Sequence, residues 1–161
     1  RLLAASLACV LLALPFTTPA ADAITRRALP DFPIASSVAV PGTARIVFVS
    51  GTLADVAKPD APAGSTERLG DTETQAASVL AKIAKELAAS EVTMADVVKV
   101  NVLTVGDRAK GGGMDFGGLM KAYSRYFGAA SQGNLPARTT VQVVALPVPG
   151  ALVEIEVVAA R

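Results

Sequence analysis

Thr139-Thr140-Val141-Gln142-Val143-Val144-Ala145 and Leu152-Val153-Glu154-Ile155-Glu156-Val157-Val158 decide the fold. Both runs are β-branched and alternate, so both read as strands. Pro147 to Gly150 joins them, and the spacing predicts an antiparallel pair. Val97-Val98-Lys99-Val100-Asn101-Val102-Leu103 is a third such run. Before the pair, Phe116, Leu119, Met120, Tyr123 and Phe127 recur at helical spacing, an aromatic stripe that reads as core. Farther upstream, Ala76, Leu80, Ile83 and Leu87 mark one face of a helix ending near Ser90. Thr72 and Gln75 have the spacing of a capping box, with Thr72 as N-cap. Arg45 to Ser50 is a strand ended by Gly51, and Ile34 to Val40 is a short, proline-bounded strand expected at an edge. Pro41-Gly42 lets these two form a hairpin. The order is ββαβαββ. It predicts an α+β fold, a single sheet with two helices on one face.

Two loops stand out. Thr52 to Gly70 is a long surface segment, and Gly106 to Gly113 is a flexible one. Gly111-Gly112-Gly113 lacks the spacing and the lysine of a phosphate loop, so it reads as a hinge or a plain surface loop.

Composition narrows the chemistry. The 161 residues are 52% hydrophobic and 18% charged, enough apolar surface for one folded domain. The net charge is +1, with no basic excess and no basic-aromatic run, so no nucleic-acid partner is expected. The chain has no histidine, which removes Ser-His, Cys-His and His-metal mechanisms. Cys9 is the single cysteine, so neither an intramolecular disulfide nor a thiolate metal cluster can form.

Arg1 precedes an apolar run from Leu2 to Phe16, then small residues ending Ala21-Asp22-Ala23. These are the parts of a secretory signal, with cleavage expected before Ile24. Residues 1–23 are thus a candidate leader and 24–161 the working domain. The expectation is an exported protein, periplasmic or secreted, without a stable membrane anchor. A retained anchor and lipidation at Cys9 are the weaker alternatives.

Glu154 and Glu156 leave one face of their strand, while Val153, Ile155 and Val157 leave the other. The carboxylates share their face with apolar residues of neighbouring strands, which predicts a homo-oligomer burying it. Arg138 follows Pro136-Ala137 at a strand mouth, where a planar guanidinium suits a carboxylate. It is equally placed to pair with Glu154 or Glu156, or to stay solvated at the rim.

Phe48-Val49-Ser50-Gly51, Ala95-Asp96-Val97-Val98-Lys99-Val100, Pro136-Ala137-Arg138-Thr139-Thr140-Val141-Gln142-Val143 with Leu146-Pro147, and Val153-Glu154-Ile155-Glu156 occur in an order that resembles the Rid/YjgF family. These are reactive-intermediate (enamine/imine) deaminases, some named L-PSP endoribonucleases. The resemblance runs from about Arg45 to Arg161. It implies a chorismate-mutase-like homotrimer with ligand clefts between subunits. It also implies hydrolysis of 2-imino or enamine acids to 2-keto acids and ammonia, of the 2-iminobutanoate/2-iminopropanoate type, without a cofactor or metal. Carried over, Arg138 holds the substrate carboxylate and Glu154 positions or activates water. Gly51 lines the cleft through its backbone, and Thr140 stands where many members have a Cys or small polar residue. The chain departs from the family at Phe32-Pro33-Ile34, which lacks the tyrosine of a Gly-Pro-Tyr segment. It departs again at Met120, in place of an Asn, and at Thr52, in place of a Gln. These departures make a non-catalytic carboxylate-binding module the alternative. A chorismate-mutase-type rearrangement is a third reading, with too few cationic donors to support it.

Overall fold

The computed structural model describes residues 23–128 and 133–161. The candidate leader falls on residues 1–22, outside the described residues. Six strands form one sheet: β1 (Thr25–Ala28), β2 (Ala35–Ala39), β3 (Ile46–Leu53), β4 (Val97–Val105), β5 (Ala137–Val143) and β6 (Val153–Ala160). Their order across the sheet is β1-β2-β5-β4-β6-β3. A short α1 (Thr66–Leu69) lies in the long loop, followed by α2 (Thr72–Ala89) and α3 (Phe116–Tyr123).

The helices share one face. Val79, Leu80, Ile83 and Leu87 of α2 and Leu119 and Tyr123 of α3 are fully buried with Val100, Val102, Val153, Ile155 and Val157. Both glutamates of β6 lie on the other face, as the alternation predicts. That open face also carries Ile46 and Phe48 on β3, the latter 78% exposed, and Val141 across the sheet on β5. Asn101 donates to Glu156 at 2.6 Å and Lys99 to Thr139 at 2.7 Å, cross-strand pairs on the same face.

Several expectations need correction. The runs at 139–145 and 152–158 do not form a hairpin. α3 is a crossover that lays β5 parallel to β4, and β6 then joins the opposite side of β4 antiparallel. Residues 144–152 are too long for a tight turn, and Val144 in them is 99% exposed. Nor does β2 pair with β3. β2 is flanked by β1 and β5, so it is not an edge, while β3 pairs with β6 at the far edge. β1, which has no apolar alternation to announce it, supplies the antiparallel partner. Arg26 ties it down by donating to Val97 O at 2.9 Å and Leu135 O at 3.1 Å.

The cap of α2 also sits one residue earlier than its spacing suggests. Asp71 is the N-cap and accepts from Thr74 N at 2.9 Å, whereas Thr72 is buried in the first turn. Gln75 instead bridges loops: its amide donates to Gly70 O at 2.8 Å and its oxygen accepts from Leu152 N at 2.7 Å. The Gly111–Gly113 segment is a closed turn. Asp107 N donates to Gly113 O at 3.0 Å, Gly112 N donates back to Asp107 O at 2.8 Å, and Gly111 and Gly112 take φ of 82° and 81°. Glycine enters that region freely, which accounts for Gly111 and Gly112. No helix among the described residues is long and apolar enough to cross a membrane.

Candidate active site

Arg138 is the second residue of β5 and sits beside Val100, so its side chain leaves the sheet on the helix-covered face. Its mouth is fixed by β2, where Ala35 N donates to Pro136 O at 2.8 Å. The preceding turn, with Asp31 at φ 61° and Ile34 N donating to Phe32 O at 2.8 Å, presents Phe32 to the same place. From the other side comes α3. Asp115 caps it by accepting from Gly118 N at 3.0 Å, which makes Phe116 the first helical residue.

The guanidinium is enclosed by rings. Its carbon lies 4.4 Å from the Tyr123 centroid, 5.4 Å from Phe32 and 5.5 Å from Phe116, and Nη1 is 3.1 Å from the Met120 sulfur. Cations favour ring faces at such distances. Among the described residues, no carboxylate forms an ion pair with Arg138. The readings of Arg138 as a partner of Glu154 or Glu156, or as a solvated rim charge, are therefore not what the structure shows. Burial lowers the pKa of Arg138. Burial also pushes the Tyr123 hydroxyl up to about 12, against the opposing pull of the Arg138 charge. Tyr123 Oη and Thr140 Oγ1 are both buried without a hydrogen-bond partner. The guanidinium lies over the face of the Tyr123 ring. Thr140 is two residues from Arg138 on β5, hence on the same face.

Glu154 and Gly51 form a separate group. The register of β3 against β6 slips between Val49 and Thr52, so Ser50 and Gly51 bulge out of the ladder. The Glu154 carboxylate fills the space this leaves. A Cβ built on Gly51 would stand 2.0 Å from Glu154 Oε1, so any larger residue there displaces the carboxylate. Gly51 also lines a cleft of about 380 Å³ with Phe48, Lys82, Glu86 and Ser90 along the β3 edge.

The structure brings Gly51 to Glu154 and Thr140 to Arg138, but it does not bring the two pairs together. β5, with Arg138, is two strand positions from β6, with Glu154, and three from β3, with Gly51, roughly 10 and 14 Å at the usual strand spacing. Moreover, Arg138 leaves the helix face and Glu154 the open face. A larger cleft of about 570 Å³, between Ala57–Thr74 and Asp107–Ala109, holds none of these four residues.

The endoribonuclease L-PSP family model matches residues 32–161. The chain belongs to this family, also called Rid/YjgF. The Rid-family protein YyfB of Yersinia pestis aligns with a TM-score of 0.60 at 23% identity, over 80% of this chain and 87% of that one. Rv2704 of Mycobacterium tuberculosis, a YjgF/YER057c/UK114 member, aligns at 0.54 and 23%, over 86% of this chain and 100% of that one. Escherichia coli TdcF, solved with bound serine, aligns at 0.54 and 26%, over 72% and 80%. The first two likenesses speak for the fold alone. No curated protein matches the chain.

In this Rid/YjgF chain two of the departures from the family pattern meet at Arg138, while Thr52 lies apart on β3. Phe32 and Met120 both touch Arg138, and Phe116 stacks on Phe32 with centroids 6.2 Å apart and planes 8° from parallel. The sequence reading took the α3 stripe as core and missed this second role. The signal was present: Phe116, Met120 and Tyr123 fall at i, i+4 and i+7, a second face beside the one through Leu119, Tyr123 and Phe127.

Proposed function

We propose that the protein is a hydrolytic deaminase of 2-imino or enamine acids, acting in clefts where two copies of the chain meet. The observation that carries this reading is the division of the site: an unpaired, part-buried cation on one face and a carboxylate set in a glycine cradle on the other. Each is half of a hydrolytic site. A neighbouring copy can supply what one chain keeps on opposite faces, and the exposed Phe48 and Val141 offer the apolar surface for such an assembly. A homotrimer is the assembly we propose.

The substrate carboxylate lies in the plane of the Arg138 fork, where two N–H groups match two oxygens. Glu154 of the adjacent copy orients a water and takes its proton as oxygen attacks the C=N carbon. The imine nitrogen receives that proton, the resulting carbinolamine expels ammonia, and the 2-keto acid remains. The chemistry asks for no redox step and no leaving group beyond ammonia. The bound serine in TdcF, an amino acid with a free carboxylate, supports a ligand of this class here. The family's endoribonuclease name finds less support, since the chain has a net charge of +1 and no histidine.

Purified protein with freshly generated 2-iminobutanoate tests the reading. Ammonia and 2-oxobutanoate should form faster than in buffer. Binding of 2-oxobutanoate with no turnover above the spontaneous rate would leave the non-catalytic binding module in its place.

A further inference from the structure

We infer that the Arg138 half-site selects carboxylates bearing an aromatic or bulky apolar side chain, which lies on the Phe32–Phe116 ring pair. The inference rests on Arg138 as the carboxylate anchor. The two rings stack 8° from parallel with centroids 6.2 Å apart, and together they form an apolar flank beside the guanidinium. The guanidinium carbon is 5.4 and 5.5 Å from their centroids. A carboxylate seated on the fork therefore puts the group on its neighbouring carbon within a ring's breadth of that flank.

Three further observations favour an apolar occupant. Phe116 is 38% exposed at the first position of α3, so its ring keeps free apolar surface beyond its stack on Phe32. The Met120 thioether touching Arg138 is a flexible, polarizable lining suited to apolar shapes. The Tyr123 and Thr140 hydroxyls are sealed from solvent, so neither offers a solvent-facing partner to a ligand hydroxyl. A small or hydroxylated side chain would leave the flank wet or lose its hydration without replacement.

Calorimetry on the full protein with phenylpyruvate, pyruvate and hydroxypyruvate tests this. Phenylpyruvate should bind at least tenfold more tightly than either small keto acid. Phe116→Ala should cut that ratio below threefold, and Phe116→Leu, which keeps apolar volume and guards against a folding defect, should reduce it in between. Equal affinities, or a ratio unmoved in both variants, would overturn the inference. The deaminase reading fails separately. Preferential phenylpyruvate binding without imine turnover removes catalysis and keeps this inference. Imine turnover with no preference for the ring does the reverse.

Discussion

Gly51→Ala perturbs the Glu154 cradle at a known distance. The added Cβ would stand 2.0 Å from Glu154 Oε1, 3.0 Å from Cδ and 3.3 Å from Cγ. An ordinary contact begins near 3.4 Å, so the carboxylate has to retreat by about 1.4 Å. The obstacle is the far end of a side chain rather than backbone, and Gly51 does not need a left-handed φ, so the fold can absorb the methyl. Displacing a catalytic group by about 1 Å costs on the order of a hundredfold in rate. We expect imine turnover to fall about that far, with Tm within roughly 4 °C of wild type. Keto-acid binding, anchored on Arg138, should weaken far less than turnover. The assay is ammonia release beside calorimetry with 2-oxobutanoate and a thermal melt. Turnover within threefold of wild type, in a variant whose mass confirms the added methyl, would refute the placement of Glu154 at the reacting water.

Arg138→Ala should weaken 2-oxobutanoate binding at least about tenfold, because a charge-assisted bidentate contact contributes roughly 1.5–3 kcal/mol, and Arg138→Lys should recover little of it. Glu154→Gln should keep binding and lose turnover, as paired calorimetry and ammonia assays would show. Phe48→Asp places a charge on the open face, and light scattering should report dissociation at micromolar concentration together with loss of turnover. Asp71, whose pKa is held down first by the hydrogen bond from Thr74 N, contributes stability at neutral pH that is lost as pH falls through its folded pKa. Asp71→Ala should remove about 1 kcal/mol at pH 7 in urea melts and less in acid. Tyr123 has the opposite sign: with its pKa raised to about 12, its contribution is full below about pH 10 and fades as pH rises between those values.

The strands and helices with strong periodicity were legible because one face of each is buried. β6 is the clearest case: its alternation correctly put Glu154 and Glu156 opposite the core. Pairing was less legible, since a strand's period does not name its neighbour. The βαβ crossover through α3 inserted β4 between β5 and β6, and TRRA at β1 has no pattern to mark it as a strand. Asp71 outcompeted Thr72 as cap by one residue, a shift that spacing cannot resolve. At the site, Arg138, Thr140, Glu154 and Gly51 were legible only through resemblance, and the Gly51–Glu154 contact then gave the glycine a steric reason. The aromatic enclosure of Arg138 joins residues 32, 116, 120, 123 and 138 across the fold, so no local window contains it.

The central claim is that each site draws Arg138 from one copy of the chain and Glu154 from another. Mixing Arg138→Ala and Glu154→Gln chains by co-refolding tests it most directly, at substrate well below saturation, where each variant alone should show little turnover. In a cyclic assembly with random mixing, an interface is intact when one copy keeps Arg138 and its neighbour keeps Glu154, so about one quarter of wild-type turnover should return. If each site were built within one chain, every copy would still carry a defect and the mixture would stay inactive.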